Sequence, residues 1–323
     1  MMDFCILGSG IAGSTIANLI SRKYSVAVFD KARGPGGRSS NKRYKLSLGF
    51  DHGVQYISPK SNSFKKFVEK LYKKKILKLW DGNHLDFTFK KNNDLKYIGK
   101  KANNDICKYQ LKNINQYYLS NIIKINRLKG FWEITLENKK KYQFKALIIT
   151  CPYPQVKKLA KKYLTNRMLK LNVKMEPNIT VMVTIKNQEM LHISSIKFND
   201  NILAWAANEN SKKRFKSKNN LWTLQSTVNW SQKKINLYKG NNRISQELLS
   251  RFLSLTGIKK DNIIFKLIHG WKYSYNTSKT NLECCWDNKI KLGICADWFL
   301  GPKVENAWLS ANSLFKKIKK NPL

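Results

Sequence analysis

The start of the chain carries a pattern of apolar and polar positions that predicts a strand, a turn, a helix and a second strand. Residues 4–7 form a short apolar run, which is typical of a buried parallel strand. A glycine turn follows, and apolar residues then recur at helical spacing over residues 11–22. Residues 25–29 form a second apolar run that ends at Asp30. The pattern therefore predicts a βαβ unit of an α/β fold.

The turn between the first strand and the helix is a Gly-x-Gly-x-x-Gly motif made by Gly8, Gly10 and Gly13. The first glycine permits a tight turn, the second lets a pyrophosphate approach the backbone, and the third lets helix and strand pack closely. The helix start, at Ile11 and Ala12, offers free N–H groups to phosphates. Asp30 follows where a carboxylate can accept hydrogen bonds from a ribose diol. This context predicts a dinucleotide site.

A second glycine cluster comes directly after the acid, in the stretch Lys-Ala-Arg-Gly-Pro-Gly-Gly-Arg. Gly36 and Gly37 would give the pyrophosphate a second close approach to the backbone. Arg33 or Arg38 would neutralise phosphate charge, and Lys31 lies beside the ribose acid. This second cluster favours FAD over NAD as the dinucleotide.

Residues 29–40 and 50–58, FDKARGPGGRSS and FDHGVQYIS, resemble the renalase family, particularly its bacterial members. The glycine turn, the acid and the Gly-Gly-Arg cluster also resemble the glutathione-reductase-type FAD fold, as in flavin amine oxidases. The resemblance implies an α/β fold in which a glutathione-reductase-type, Rossmann-like FAD-binding domain is joined to a mixed-sheet substrate domain. The FAD-binding domain would comprise residues 1–58, 117–152 and 288–323. The substrate-binding domain would comprise residues 59–116 and 153–287.

The resemblance also implies a set of site residues. Ile122 would contact the adenine through its backbone, and Asp297 would contact the ribityl chain. The chain segment at Thr150 would pass beneath the flavin. A helix starting near Val304 would point its N-terminus at N1 and O2 of the flavin ring. The residues predicted to bind FAD are Gly8, Gly10, Ile11, Ala12, Gly13, Asp30, Lys31, Arg33, Gly36, Gly37, Arg38, Gln55, Ile122, Thr150, Asp297 and Val304. The residues predicted to position substrate at the flavin are Gln55, Tyr56, His269 and Trp271.

The C-terminal block departs from the family pattern at three positions, where Ala296 replaces a usual Gly, Lys303 replaces Arg and Asn306 replaces Gly. None of the three removes the predicted site. Glu305 is interpreted as a first-turn residue that complements the helix dipole rather than as a catalytic acid.

The chain carries a large positive charge. It contains 61 Lys and Arg residues and 20 Asp and Glu residues, which gives a formal net charge of +41. Basic pairs and runs are spread along the whole chain, which indicates a composition bias more than a nucleic-acid surface. The charge would still attract anionic ligands. The scattered cysteines and histidines predict reduced thiols and no metal site. With no apolar run long enough for a membrane span and no signal peptide, we expect a soluble, cytoplasmic protein.

Three functions remain open at this stage. The renalase resemblance implies an oxidase that takes a hydride from isomeric dihydronicotinamide dinucleotides (misreduced NAD(P)H) onto flavin N5. Electrons would pass to O₂, giving NAD(P)⁺ and H₂O₂, and no general base is needed. The alternative is a flavin amine oxidase acting on a small amine. A basic nucleic-acid-binding protein is the third, but it leaves both FAD signatures unexplained.

An amine oxidase would need an aromatic cage, and six side chains could supply it: Tyr56, Trp205, Trp230, Trp271, Tyr273 and Trp308. Core packing is the alternative interpretation for most of them. The Lys- and Asn-rich stretch 208–220 is interpreted as a long exposed loop.

Overall fold

The computed structural model describes residues 1–45, 48–86, 88, 90, 94–186, 192–278 and 280–323. The strands in this part of the chain are β1 Met2–Leu7, β2 Val26–Phe29, β3 Asn41–Arg43, β4 Gly49–Asp51, β5 Leu77–Leu79, β6 Asn83–Leu85, β7 Tyr97–Gly99, β8 Asn115–Tyr117, β9 Ile122–Arg127, β10 Trp132–Leu136, β11 Lys141–Ile149, β12 Met175–Ile185, β13 Ile193–Lys197, β14 Leu203–Asn208, β15 Asn220–Ser226, β16 Ile263–Asn276, β17 Cys285–Asp287 and β18 Leu292–Ile294. The α-helices are α1 Ile11–Ile20, α2 Asn62–Lys73, α3 Asp105–Gln110, α4 Tyr153–Ala160, α5 Asn166–Leu169, α6 Val228–Lys234, α7 Asn242–Thr256 and α8 Val304–Lys320.

The larger sheet has the strand order β17-β18-β11-β1-β2-β8, and β9 and β10 attach to β11 as an antiparallel hairpin. The pairs β18–β11, β11–β1, β1–β2 and β2–β8 are parallel. Alternate residues of each central strand point to opposite faces, and both faces are buried. In β1, for example, Phe4 and Ile6 face one core while Cys5 and Leu7 face the other.

Helices on one face of this sheet include α1 and α8, which pack against each other. In α8, Ala307, Ala311, Leu314 and Ile318 are buried at helical spacing, which explains why this face of the helix turns towards the sheet. Lysines in its last turn suit the negative end of the helix dipole. The opposite face of the sheet is covered by the β9–β10 hairpin, α4 and the turn at 297–299.

The second sheet has the order β16-β12-β15-β14-β13-β6 and is antiparallel except for the β13–β6 pair. The long strands β12 and β16 form its most extensive pairing. Apolar side chains of α7, including Leu248 and Phe252, pack on one face against Trp222 of β15. The segment after β4 is hydrogen-bonded to this sheet, since the His52 carbonyl accepts from Trp271 of β16 and the Gly53 carbonyl accepts from Gln225 of β15.

Element boundaries follow the sequence-based predictions closely at the ends of the chain. The first helix ends at Ile20, two residues before the expected end, and α8 starts at Val304 as predicted. The prediction of a long exposed loop at residues 208–220 is wrong in part. Glu209 and Lys212 lie fully buried within it, because they enter a network of opposite charges described below. The division into two discontinuous domains stays a prediction.

In the described part of the chain, none of the helices has both the length and the apolar character needed to cross a bilayer.

The start of α8 is joined to the start of α2 by one buried carboxylate. Glu305 accepts hydrogen bonds from the backbone N–H groups of Lys60 (2.8 Å) and Ser61 (2.7 Å), and Ser61 is the N-cap residue of α2. Burial opposes ionisation, but these donors hold the pKa of Glu305 below its ordinary value. Glu305 therefore ties two helices together, in agreement with a structural rather than a catalytic interpretation.

We predict that Glu305→Ala lowers the free energy of unfolding by about 1–3 kcal/mol, because two N–H groups lose their acceptor. Urea unfolding at pH 7 measures the change. Glu69→Ala is the matched control, since Glu69 is an exposed carboxylate of α2 paired with Lys73. A Glu305→Ala protein as stable as wild type would contradict the structural interpretation.

Candidate functional site

The carboxyl ends of the parallel strands form one straight edge of the larger sheet. Phe29, Leu7, Ile149 and Ile294 are paired across β2, β1, β11 and β18 in a single row. The segments that follow these four strands therefore begin at neighbouring positions along the edge. The next residues are Asp30, Gly8, Thr150 and Cys295, and Asp297 follows two residues later. This edge of an open parallel sheet is where ligands bind in α/β proteins.

The first glycine turn is packed so tightly that side chains are excluded from it. Gly8 has a φ of +103°, a conformation that favours glycine. A Cβ added to Gly13 would lie 1.9 Å from the Gly8 carbonyl oxygen. Thr150 supports the turn from β11 by donating its hydroxyl to the Leu7 carbonyl at 2.8 Å. Its predicted contact with the cofactor stays a prediction.

The second glycine cluster lies directly on the first. The Gly36 N–H donates to the Ser9 carbonyl at 3.0 Å, and a Cβ on Gly37 would lie 3.2 Å from the Gly10 Cα. Gly36 and Gly37 both have positive φ values, 133° and 51°. The two glycine-rich stretches thus form one continuous backbone surface beside the N-terminus of α1. Such a surface lets a phosphate chain approach main-chain N–H groups closely.

Asp30 is held against the glycine turn. Its Oδ2 accepts from the Ser9 N–H at 2.8 Å and from the Ser9 hydroxyl at 2.6 Å, while Oδ1 accepts from the Ala32 N–H. These bonds fix the carboxylate at the end of β2. Beyond it, Lys31 and Arg33 are exposed, and both stay predicted rather than tested contacts.

The two ends of the chain meet at an ion pair between Arg38 and Asp297. The guanidinium forms two hydrogen bonds with the carboxylate, at 2.9 and 2.5 Å, across a sequence separation of 259 residues. Its NH1 also donates to the Ser274 carbonyl of β16 at 2.7 Å. The second glycine cluster, the C-terminal block and the second sheet therefore converge here. The side chain of Asp297 is nearly buried, and that of Arg38 is partly exposed.

The helix α8 begins close to Asp297 without a side-chain cap at Lys303. In contrast, Ser61, Thr227 and Asn241 cap helices α2, α6 and α7. The Asn306 side chain instead folds back, donating to the carbonyls of residues 300 and 301 at 3.0 Å. Asn306 therefore ties the first turn of α8 to the turn that precedes it. The first N–H groups of α8 thus receive no side-chain cap at Lys303, although the Glu305 carboxylate lies in the first turn and complements the dipole.

Three rings from two segments cluster beside this ion pair. The His52 ring lies 4.7 Å from that of His269 and 5.0 Å from that of Trp271, measured between centroids. Burial and the neighbouring His269 lower the pKa of His52 to about 3, and burial and Lys42 lower the pKa of His269 to about 4. Both imidazoles are therefore neutral near pH 7. Nδ1 of His52 is buried and finds no hydrogen-bond partner among the described residues.

Tyr56 belongs to a second aromatic group with Trp80 and Trp205, at centroid distances of 6.3 and 5.9 Å. Burial raises the pKa of Tyr56, and Asp94 adds to this shift. The ammonium groups of Lys96 and Lys212 lie over the rings of Tyr56 and Trp80, at 5.5 and 5.1 Å from the centroids.

Two of the other proposed cage residues, Trp230 and Trp308, lie elsewhere. Trp230 packs in the core of the second sheet and donates its indole N–H to Glu247. Trp308 packs on Phe64 and Phe67 between α8 and α2. These two tryptophans are structural, and they are not brought together with Tyr56 or Trp271.

Ile122 starts β9, one residue after Asn121, which borders a cavity of about 250 Å³. The Ser120 N–H donates to the Asp30 carbonyl, so this region lies near the ribose acid. A contact of Ile122 with an adenine stays a prediction. A second cavity of about 360 Å³ lies between residues 58–60, α2 and residues 94–97.

Sequence reasoning missed a group of buried charges behind the segment after β4. Asp51, Glu209, Lys212 and Arg214 have side chains at most 3% exposed. Lys212 lies 2.9 Å from both Asp51 and Glu209, and Arg214 also pairs with Asp51. Burial alone would raise the pKa of Asp51, but the two cations hold it well below its ordinary value. The only sequence signal was an acid inside the FDHG stretch.

Comparisons with known proteins agree on the fold. Residues 6–71 match the NAD(P)-binding Rossmann-like domain model. An uncharacterized protein of Methanocaldococcus jannaschii is 30% identical over 83 residues, which are 25% of this chain and 22% of that protein. The match thus spans about a fifth of that relative's length.

Two solved structures are similar over nearly the whole chain. A putative protoporphyrinogen oxidase from Exiguobacterium sp. 255-15 has a TM-score of 0.74 at 9% identity, with 98% of each chain covered. Putrescine oxidase bound to putrescine has a TM-score of 0.71 at 9% identity, with 99% of each chain covered. The chain has the fold of these oxidases. The predicted fold class, a Rossmann-like α/β domain joined to a mixed sheet, is confirmed.

The neutral state of the ring cluster predicts a pH dependence of stability. Below the ordinary histidine pKa of 6.5, the unfolded chain binds protons at His52 and the folded chain does not. Stability is therefore lost as pH falls from about 6.5 towards 3. We expect the His52 contribution to be about 2 kcal/mol between pH 7 and pH 5.

Urea unfolding at the two pH values measures this effect. His52→Asn should reduce the difference, whereas His192→Asn, at an exposed position, should leave it unchanged. Equal pH dependence in wild type and His52→Asn would rule out a buried neutral His52.

Proposed function

We propose that the protein is an FAD-dependent oxidoreductase that acts as an oxidase. The observation that carries the proposal is the meeting of Arg38 and Asp297 at the edge where both glycine clusters and α8 converge. These two residues come from the two sequence blocks that resemble FAD-binding proteins. A simple mononucleotide or NAD site would use the first glycine turn and Asp30 but would leave the C-terminal block without a ligand.

The residues at this edge fit FAD. The two glycine stretches pack so closely that a Cβ at Gly13 or Gly37 would press on the neighbouring backbone, and the compact surface they form is one that a pyrophosphate could approach. Asp30 would accept from the adenosine ribose, and Arg38 would serve the pyrophosphate or the ribityl chain together with Asp297. The N-terminus of α8 at Val304 would face the pyrimidine edge of the flavin ring. These contacts are the proposed roles of the predicted FAD-binding residues.

We propose an isomeric dihydronicotinamide dinucleotide as the hydride donor, as the renalase resemblance implies. When bound, FAD would supply a hydride acceptor at N5 and pass electrons to O₂, giving NAD(P)⁺ and H₂O₂. The chain needs to bind and orient such a donor but not to remove a proton from it. Neutral His52 and His269 beside Trp271 suit this task, since they offer hydrogen bonds and stacking without charge.

The charge of the chain suits an anionic donor. The Lys212 ammonium beside the Tyr56 group is already balanced by Asp51 and Glu209, so it does not decide between donors. The phosphates of a dinucleotide would, however, be attracted by the net charge of +41.

A flavin amine oxidase is the second candidate. The likeness in fold to putrescine oxidase supports it, as does the tilted pair of Tyr56 and Trp205, whose ring planes meet at 40°. An aromatic pair of this kind could flank a neutral amine.

We expect the purified protein to bind FAD non-covalently, and Asp30→Ala to weaken that binding by about 10- to 100-fold through loss of a charged hydrogen bond. Titration of flavin-free protein with FAD measures the affinity. Asp3→Ala is a matched control, because Asp3 accepts from the N–H and hydroxyl of Ser25 as Asp30 does from Ser9, but at the other end of β1. Protein that takes up no FAD would overturn the proposal.

We also expect isomeric dihydronicotinamide dinucleotides to bleach the flavin under anaerobic conditions, with H₂O₂ released when air is admitted. Stopped-flow absorbance near the flavin band follows the reduction. Putrescine and other small amines should cause no bleaching, because they carry no phosphates for the basic chain to attract and no dihydropyridine ring to donate a hydride. Bleaching by amines alone would favour the second candidate.

A further inference from the structure

The segment Asp51–Gln55, which we call the carbonyl loop, is held by an unbroken series of side-chain hydrogen bonds. The Asp51 carbonyl accepts from the Gln55 side-chain amide, and the His52 carbonyl accepts from the Trp271 indole N–H at 2.8 Å. The Gly53 carbonyl accepts from the Gln225 side-chain amide at 2.7 Å. Three consecutive carbonyls are thus fixed by donors from the loop itself, from β16 and from β15.

The last two carbonyls share one donor residue, Asn103. Its Nδ2 donates to the carbonyls of Val54 at 2.7 Å and Gln55 at 2.9 Å. Its backbone N–H donates to Asp51 Oδ1 at 3.2 Å. All five carbonyls of the loop therefore carry a side-chain donor, and Asn103 binds both ends of the loop.

Asn103 is in turn oriented by Arg214. The guanidinium donates to Asn103 Oδ1 at 2.8 Å and to the Gly99 carbonyl at 3.0 Å, and it pairs with Asp51. Because Oδ1 accepts from Arg214, the amide must present Nδ2 to the loop carbonyls. Lys212 completes the support by donating to Gln55 Oε1 at 3.2 Å. An ordinary surface loop would need none of these buried charges, which are costly to desolvate.

The carbonyl loop runs between the two structures that converge at the proposed flavin site. The Val54 N–H donates to the Arg38 carbonyl at 2.8 Å, so the loop is attached to the ion pair with Asp297. Five residues after Gln55, Lys60 is bound to Glu305 in the first turn of α8. The loop and the residues that follow it as far as Lys60 thus connect Arg38 to the helix that would face the ring.

We propose that Asn103, Arg214 and Gln225 are positioning residues that fix the carbonyl loop against the flavin ring and thereby set the ring's environment. The inference rests on the proposed function, and it adds residues from outside both FAD signatures. The three residues act through the loop and touch neither flavin nor substrate.

The test compares Asn103→Asp and Gln225→Leu with the control Asn83→Asp. Asn103→Asp keeps an acceptor for Arg214 but loses the donor to two loop carbonyls, and Gln225→Leu frees the Gly53 carbonyl. Asn83 also donates an amide to a backbone carbonyl, that of His192, but lies in β6 at the far edge of the second sheet. For each protein, FAD affinity, visible circular dichroism of bound FAD, midpoint potential and urea unfolding are measured.

We expect both loop variants to retain FAD affinity, because the glycine turns and Asp30 hold the adenosine and pyrophosphate. Their visible circular dichroism and midpoint potential should shift, and flavin reduction by the dihydronicotinamide donor should fall by about 100-fold, as expected for misplacement near 1 Å. The control should match wild type in all measurements.

Folded loop variants with the wild-type spectrum and potential would overturn the inference while leaving the proposed function standing. If Asn103→Asp does not fold, Gln225→Leu decides the outcome in the same way. Wild-type protein that takes up no FAD would overturn the proposed function itself, and the inference with it.

Discussion

The alignment of four parallel strand ends in one row is the constraint on which the site depends. Because Phe29, Leu7, Ile149 and Ile294 are in register, the segments that follow them start from the same edge at neighbouring positions. The register is fixed by apolar side chains that are buried on both faces, so a slip of one residue would exchange the two cores. The geometry of a polar site is thus set by the packing of an apolar sheet.

Sequence reasoning was most accurate where function depends on local backbone geometry. Gly8 and Gly13 indicate a tight turn, because a side chain would not fit at either position. The proline-containing turn before Val304 indicates where α8 starts. The pairing of Arg38 with Asp297 could not be predicted from the sequence, because each residue considered alone suggests a contact with a ligand. Long-range pairs depend on the assembled fold, and a single sequence contains no record of them.

The carbonyl loop illustrates a different limit. In a chain with 61 basic residues, Lys212 and Arg214 look like part of one more solvated run. Their burial follows from Asp51, which needs compensating charge at the end of β4. The composition bias therefore conceals the few basic residues with a structural task. Asn103 is hard to single out for the same reason, because the chain is rich in asparagine. It nevertheless makes more hydrogen bonds to the carbonyl loop than Lys212 or Arg214 does.

The position of β18 and α8 near the end of the chain has a consequence for biosynthesis. The glycine turns leave the ribosome early. β10 covers the start of β11, but residues 147–149 of β11 keep an uncovered parallel edge until β18 emerges about 140 residues later. The apolar face of α1 that α8 covers stays exposed for longer still, because α1 ends at Ile20 and α8 begins only at Val304. The nascent chain therefore passes through a long aggregation-prone stage, and chaperone protection over this interval would govern the yield of folded protein. If FAD binds at this edge as proposed, its loading can be completed only once α8 has been synthesised.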